Sequence, residues 1–375
     1  MSVPYRLERS ALPIPESLMH RVAVTWNNVT IVWDPMFWWV IHYHISGKWL
    51  RKEIKCDLPN LIKIDTLRFY TSVQVVNDKM IVIDASNRQT SKKTCVFSLD
   101  LKTWVWEKHN PEGQPPPKSF GFSSWVHKRK MYCFGGGDPK NGEPSSSQLF
   151  CYDDANNCWL WPRQMGDIPP PRYCHSTIVS GDQVFLFGGE EKNDLYILNM
   201  ESMRWKMVHS NIPIMPSRDC DHTFTLISQT TAVLFGSYWS NEESRYYDNT
   251  WLLDINNAKQ LRHHLYIWTK IPNHHLSAAH AAIQEPVTKN LWVIGGFDAN
   301  ESNFTPHLLK MTFKLLPLRY LTIDHLARRT DTKSPRLLPH AFPLSVRKEI
   351  EDHRSKIGRI NICSAKDGCK VCQPN

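Results

Sequence analysis

The feature that most constrains this chain is a unit of roughly fifty residues that recurs along it. The clearest copy, residues 170–205, reads PPRYCHSTIVSGDQVFLFGGEEKNDLYILNMESMRW. Its alternation of apolar and polar residues, broken by turn residues, predicts four short strands. In order, we expect a strand from His175, a turn at 180–182, strands over 184–187 and 194–198, and a fourth strand around Trp205.

Three further stretches, residues 119–161, 222–254 and 280–298, repeat this pattern. Each has one or more glycines after its second strand, where a sharp turn and a close backbone approach favour a positive φ. The first two copies add an aromatic or tryptophan-bearing third or fourth strand, and a tryptophan can fill the space between stacked sheets. Proline-rich links such as PEGQPPPKS separate the units. Together these features predict an array of four-stranded blades.

This set of motifs resembles the kelch repeat, so we expect an all-β, six-bladed kelch β-propeller over residues 1–316. In the first two blades, Trp33-Asp34 and Asp84-Ala85 stand where the glycine pair should be. The sixth blade lacks a fourth strand, and we expect Tyr5 to Glu8 to supply it. The six blades are counted from the starting residues His20, Tyr70, Phe120, His175, His222 and His280.

After the last predicted strand, the apolar spacing changes to that of a helix. In residues 315–329, LLPLRYLTIDHLARR, three residues of one stripe lie four apart. The stretch resembles the BC-box, the helix by which substrate receptors of ubiquitin ligases bind elongin C, with Thr322 where that family usually has cysteine. The resemblance implies an elongin-binding set made of Pro317, Leu318, Leu321, Thr322 and Leu326.

A second motif follows at residues 338–354. Phe342, Pro343, Val346 and Ile350 resemble a cullin 2 box, with Pro343 in the first helical turn, where its missing N–H is not needed. The alternative register from Leu338 places Pro343 inside the helix, which is costly. The Leu-Pro-apolar-Pro signature of a cullin 5 box does not occur. The order of the motifs is similar to that of kelch-domain substrate receptors of cullin 2 ubiquitin ligases.

Three parts are expected: the propeller over 1–316, a helical BC-box and cullin-box segment over 317–354, and a flexible basic cysteine-containing tail over 355–375. The resemblance implies a non-catalytic receptor subunit that joins elongin B/C and cullin 2 and binds C-terminal tails of target proteins. The alternatives are a kelch scaffold without a ligase role, whose helices pack on the propeller rim, and a secreted or metal-dependent oxidase. The oxidase is disfavoured because the chain begins without a secretory signal.

The target tail ends in a carboxylate, so candidate contacts are cations and aromatic residues near the glycine pairs and the links. Acidic residues also occur there, namely Glu190, Asp219 and Asp221, which favours a target with a basic residue near its end. The candidate target contacts are Arg172, Lys192 and Arg218 for the carboxylate, with Tyr238 and Trp239 as aromatic walls.

The formal net charge is +9, of which +6 lies in residues 319–375 and +3 in the rest. A basic tail on a nearly neutral body is not the basic, aromatic face of a nucleic-acid-binding protein. No apolar run is long enough for a membrane span. Ten cysteines without regular spacing favour reduced thiols and a cytoplasmic or nuclear location.

No cofactor or metal is expected. Cys363, Cys369 and Cys372, with His353 before them, allow a zinc site on count, but their spacing matches no pair of CxxC knuckles and favours free thiols. The chain lacks a G-x-S-x-G elbow, a Walker loop and an H-E-x-x-H helix. These absences predict a binding protein rather than an enzyme.

Overall fold

In the computed structural model the chain forms two compact units, and the described residues all belong to the first, Met1–Phe313. The segments predicted as BC-box and cullin 2 box, and the cysteine-containing tail, lie outside the described residues. The structure describes residues 5–11, 22–34, 38–43, 48–53, 71–85, 94–117, 119–137, 144–189, 192–208, 216, 222–236, 239–240, 245–246, 250–259, 268–270, 277–278, 280–295, 297–298, 303–304 and 307–313.

The described strands form six sheets of four or five strands. The N-terminal strand, β1 (Tyr5–Ala11), belongs to the last of them. The first sheet contains β2 (Val22–Trp26), β3 (Val29–Asp34), β4 (Trp38–Tyr43) and β5 (Lys48–Glu53). The second contains β6 (Thr71–Val76), β7 (Lys79–Asp84), β8 (Cys95–Asp100) and β9 (Trp106–His109). The third contains β10 (Ser123–His127), β11 (Lys130–Phe134), β12 (Leu149–Asp153) and β13 (Cys158–Leu160).

The remaining sheets follow the same plan with small additions. The fourth contains β14 (Met165–Gly166), β15 (Ser176–Ser180), β16 (Gln183–Phe187), β17 (Leu195–Asn199) and β18 (Arg204–Val208), with β14 parallel to β18. The fifth contains β19 (Thr223–Ser228), β20 (Thr231–Phe235), β23 (Thr250–Asp254) and β24 (Trp268–Lys270). The sixth contains β26 (Ala281–Gln284), β27 (Leu291–Ile294), β30 (His307–Phe313) and β1.

Short elements decorate the last two sheets, and the repeat pattern does not predict them. One ribbon pairs β21 (Trp239–Ser240) with β22 (Arg245–Tyr246). Another joins β25 (Ser277–Ala278), β28 (Phe297–Asp298) and β29 (Asn303–Phe304). A helix of five residues, α1 (Ile255–Lys259), follows β23 directly. It is too short to show a helical period in the sequence.

The first strand of each sheet packs against the first strand of the next, and β26 packs against β2, so the sheets close into a ring. Apolar clusters fill the space between neighbouring sheets. Trp159 lies between the second and third sheets, Trp205 between the third and fourth, and Trp268 between the fourth and fifth. The predicted all-β propeller and the packing role of its tryptophans are confirmed.

The N-terminal strand completes the sixth sheet. β1 pairs antiparallel with β30, from Tyr5 opposite Phe313 to Ala11 opposite His307. Next to this sheet, Trp49 of the first sheet stacks on Trp292 of the sixth, with ring centroids 5.8 Å apart. The beginning and end of the propeller are therefore joined by strand pairing and by side-chain packing, which covers edges that would otherwise be exposed.

Candidate functional site

Apart from β14, which pairs parallel with β18, neighbouring strands of each sheet pair antiparallel, so the loop between its second and third strands lies at the same end as the link to the next sheet. We call this end of the propeller the glycine face, because its loops contain Gly135–Gly137, Gly188-Gly189, Gly236 and Gly295. The turns between first and second strands, and between third and fourth strands, lie on the opposite face. All sequence-predicted target contacts that the structure describes belong to loops and links of the glycine face.

Glycine lets a link pass directly against a loop in the third sheet. Gly135 and Gly136 have φ values of 71° and 87°. The Gly136 N–H donates to the Arg172 carbonyl at 2.8 Å, and a Cβ atom at Gly136 would lie 1.9 Å from Ser119 Oγ. A larger residue cannot occupy this position unless the link that contains Ser119 moves away. The glycines thus allow the loop and the links to pack closely on this face, and they offer no side chain to a ligand.

At the start of the fourth and sixth blades, a histidine fastens one sheet to the sheet before it. His175 Nε2 lies 2.8 Å from Ser123 Oγ, and its ring packs edge-on against Phe134. His280 repeats this arrangement with Thr223 at 2.9 Å. Burial lowers the pKa of His175 well below its ordinary value, and the nearby Arg172 charge lowers it further. His175 is therefore a neutral residue of the core.

The structure places Arg172 in the interior, whereas the sequence predicted that it would contact a target. Its side chain is buried and forms a bidentate pair with Asp194, with Nη1–Oδ1 at 2.6 Å and Nη2–Oδ2 at 3.0 Å. Nη1 also donates to the Gly188 carbonyl at 2.9 Å, and the guanidinium lies over the Tyr196 ring. These contacts tie the loop of the fourth sheet to the link that precedes it. A target carboxylate cannot reach the guanidinium unless this pair opens.

The other predicted contacts have fewer described neighbours. Lys192 is partly exposed in the loop that follows Gly189, and its backbone N–H donates to the Gly189 carbonyl at 3.0 Å. Trp239 begins β21 opposite Tyr246, and only its backbone is described. Arg218 and Tyr238 lie outside the described residues. Lys192 is thus the described cation of this set that remains a target-contact candidate.

The structure adds a groove that the sequence pattern did not reveal. A cleft of about 350 Å³ is lined by the link residues Pro117, Ser119 and Pro171, by Gly136-Gly137, and by the loop 144–148. A second cleft of about 320 Å³ shares Pro117 and Gln148 with it and extends to Trp161. We call the two together the glycine-face groove. The proline-rich link and the run Pro144-Ser-Ser-Ser-Gln148 are its sequence signals.

The groove has the chemistry of a surface that binds a peptide main chain. Its described lining consists of prolines, glycines, hydroxyl and amide side chains, and one tryptophan, and none of these is charged. Trp161 is 37% exposed, and its Nε1 donates to the Gln114 carbonyl at 2.9 Å, which fixes the ring. A fixed aromatic ring beside hydrogen-bonding groups can hold an extended segment.

Other site types find little support among the described residues. No group of three or more metal-ligating side chains comes together there. Five cysteines, Cys95, Cys133, Cys151, Cys158 and Cys174, carry free thiols, and burial raises the pKa of Cys151 to about 12. A buried thiol with a raised pKa is a poor nucleophile. In the same part of the chain, no helix has the length and apolar character needed to cross a bilayer.

Kelch-repeat proteins are among the known proteins to which this chain is similar. The family model of the KLHDC2/KLHL20/DRC7 Kelch-repeats domain matches residues 136–316. Kelch domain-containing protein 1 of Mus musculus is 31% identical over 188 residues, which cover 43% of this chain and 46% of the relative. Kelch domain-containing protein 2 of Bos taurus is 23% identical over 228 residues, covering 53% and 54%.

Further matches are shorter or concern the fold alone. Rab9 effector protein with kelch motifs of Gallus gallus is 36% identical over 103 residues, covering 27% of this chain and 28% of the relative. The chain therefore spans about half or less of the length of these curated relatives. Among solved structures, "Structure of YjhT" superposes with a TM-score of 0.57 at 14% identity, covering 80% of this chain and 95% of that one.

Proposed function

Because the chain is a kelch-repeat β-propeller protein related to kelch domain-containing proteins 1 and 2, we propose that it is the substrate-recognition subunit of a cullin 2–elongin B/C ubiquitin ligase. The propeller, which we count as six-bladed, is a protein-binding domain. The observation that carries the proposal is the order of motifs. A BC-box-like and a cullin 2 box-like stretch follow the last propeller strand, β30, within residues 317–354.

Elongin C binds the BC-box-like stretch in this proposal. Leu318, Leu321 and Leu326 present one apolar stripe at helical spacing, which suits a helix that lies in a groove. Pro317 opens the helix. Thr322 provides less apolar contact than the cysteine usual in this family, so it weakens binding without changing the geometry. The second stretch, with Phe342, Pro343, Val346 and Ile350, binds cullin 2.

The test is a pull-down of the intact chain with purified elongin B–elongin C, comparing wild type with Leu318→Asp. We expect most binding to be lost, because a buried, unpaired carboxylate is costly. Tyr320→Asp is the matched control, since helical periodicity places Tyr320 on the side opposite Leu318. If wild type does not bind, or if both variants bind like wild type, the chain is a kelch scaffold without a ligase role.

A target tail occupies the glycine face in this proposal. The glycine-face groove supplies hydrogen bonds and the Trp161 ring for the main chain. Lys192, in the loop after Gly189, supplies a positive charge for the terminal carboxylate. Arg218, Tyr238 and Trp239 remain candidate contacts. Arg172 holds the loop of Lys192 in place through its pair with Asp194 and acts as a positioning residue.

This part is tested with fluorescent C-terminal peptides. Lys192→Glu should weaken binding of a peptide with a free carboxylate and leave the amidated peptide unaffected. Lys128→Glu, on the opposite face, is the control. A preference for a basic residue near the peptide end should disappear when Glu190, Asp219 and Asp221 are replaced by their amides. Unchanged binding of the basic peptide by that variant would exclude the acidic contact.

We place this receptor in the cytoplasm or the nucleus. The free thiols of the five described cysteines support a reducing compartment.

A further inference from the structure

A charged surface lies on the face opposite the glycine face, between the fourth and fifth sheets. A cleft of about 320 Å³ is lined there by Gln183, Ile197, Asn199, Ser202, Arg204, Lys206 and Lys259. Strand register places the side chains in two rows, since Gln183 lies opposite Asn199 and Asn199 opposite Arg204, while Ile197 lies opposite Lys206. Lys259 enters from α1 of the next sheet. We call this surface the basic cleft.

Two other junctions on this face each pair a lysine with an acid. Between the second and third sheets, Lys79 pairs with Asp154 at 3.5 Å. Between the third and fourth sheets, Lys128 pairs with Glu201 at 3.4 Å. In each case, the turn between third and fourth strands of the later sheet supplies the acid.

At the junction of the fourth and fifth sheets, the later sheet supplies a lysine where the other two junctions have an acid. The connection after β23 supplies Lys259, whose Nζ lies 3.3 Å from the Ser180 hydroxyl and 6.0 Å from the centre of the Phe185 ring. Arg204 and Lys206 are exposed on β18. Among the described residues that line the cleft there is no acid. Three cations therefore line one cleft whose described lining contains no carboxylate, which favours binding of an anion.

A second observation concerns the amide groups of the cleft. Gln183 Oε1 is buried and has no hydrogen-bond partner among the described residues. Asn199 Oδ1 is already occupied, since it accepts from the Glu201 N–H, the Ser202 N–H and the Ser202 hydroxyl. A buried unpaired carbonyl is costly, and a ligand N–H would satisfy it. Chloride and sulfate have no such donor to offer, whereas a peptide main chain does.

We propose that the basic cleft binds an acidic linear segment of a partner protein. Carboxylates of the segment contact Arg204, Lys206 and Lys259, and one of its backbone N–H groups donates to Gln183 Oε1. The spacing of Arg204 and Lys206 by two residues along β18 suits acidic side chains that alternate in the same way along an extended segment. This site is separate from the glycine face and does not depend on the ligase role.

The experiment measures binding of the fluorescein-labelled peptide GEEEEEEG and its glutamine counterpart GQQQQQQG to the full chain, at two salt concentrations. The variant Arg204→Gln/Lys206→Gln/Lys259→Gln should bind the acidic peptide about tenfold more weakly, as expected for three partly exposed charge pairs. The control Lys102→Gln/Lys128→Gln removes two lysines of the same face, both 65% exposed. It should stay within about twofold of wild type.

Two further arms identify the ligand. Gln183→Met should weaken the acidic peptide several-fold and leave competition by inorganic sulfate unchanged. The proposal is overturned if the glutamine peptide binds as well as the acidic one, or if the triple variant binds like wild type. Tighter binding of single-stranded DNA than of the acidic peptide would also overturn it. Should the triple variant unfold, Lys206→Gln alone, on an exposed side chain, gives the same comparison with a smaller loss.

Discussion

At the scale of single residues, the glycine face depends on polar groups that are satisfied inside the protein. The Arg172–Asp194 pair is the clearest case, because the guanidinium is inaccessible to water. Removing one partner of a buried pair costs about 3–5 kcal/mol, since it leaves a buried charge alone. Asp194→Asn should therefore destabilise the propeller by about 3 kcal/mol, at the low end because Asp194 is partly exposed.

Urea unfolding followed by tryptophan fluorescence measures this loss. The double variant Arg172→Met/Asp194→Asn should be more stable than Asp194→Asn alone, because it no longer buries an unpaired charge. If the double variant is the less stable of the two, Arg172 contributes packing rather than a charge pair.

The buried His175 predicts a dependence of stability on pH. Its pKa in the folded chain is well below the ordinary value of 6.5, mainly through burial. Below pH 6.5, the unfolded chain therefore binds a proton that the folded chain does not, and stability falls as the pH falls. The slope for one such group reaches about 1.4 kcal/mol per pH unit.

His175→Gln isolates this contribution from that of other groups. The difference in unfolding free energy between wild type and the variant should shrink between pH 7.5 and pH 5.5. Urea midpoints at several pH values measure it, and parallel curves for the two proteins would show that folding does not lower the pKa of His175.

At the scale of elements, the loops of the glycine face require glycine only where a link between sheets packs directly against the loop. Gly136→Ala places a Cβ against Ser119 in a backbone with positive φ. Gly181→Ala has the same backbone strain, with φ at 65°, but meets no atom within 4 Å. We expect Gly181→Ala to cost about 1 kcal/mol and Gly136→Ala clearly more, measured as unfolding free energies. Equal costs would mean that the link moves freely.

The sequence predicted the regular elements well because their causes are local. The strands of the fourth sheet, β15 to β18, lie within one or two residues of the predicted ones. Contacts between distant residues were harder to predict. From the sequence, Arg172 is predicted to be an exposed cation. Its partner Asp194 lies 22 residues away, and no spacing rule predicts that pair. The basic cleft likewise appears only when α1 is placed against the fourth sheet.

At the scale of the whole molecule, the propeller is closed by pairing between its first and last strands. Deleting residues 1–11 removes β1 and exposes the edge of β30, so we expect the thermal midpoint to fall by roughly 5 °C or more and aggregation to increase. Deleting only residues 1–4 leaves β1 intact and is the control. Thermal unfolding with light scattering compares them. Equal midpoints would show that β1 does not contribute to closure.

The central claim is that one chain holds a target on its propeller and a ligase on the segment that follows. Size-exclusion chromatography with light scattering, on a mixture of the chain with elongin B–elongin C and cullin 2, tests it most directly. We predict one complex that contains all four proteins. Val346→Asp should release cullin 2 and keep elongin, and Leu318→Asp should release both. Elution of the wild-type chain by itself, apart from an intact elongin B–elongin C pair, would contradict the claim.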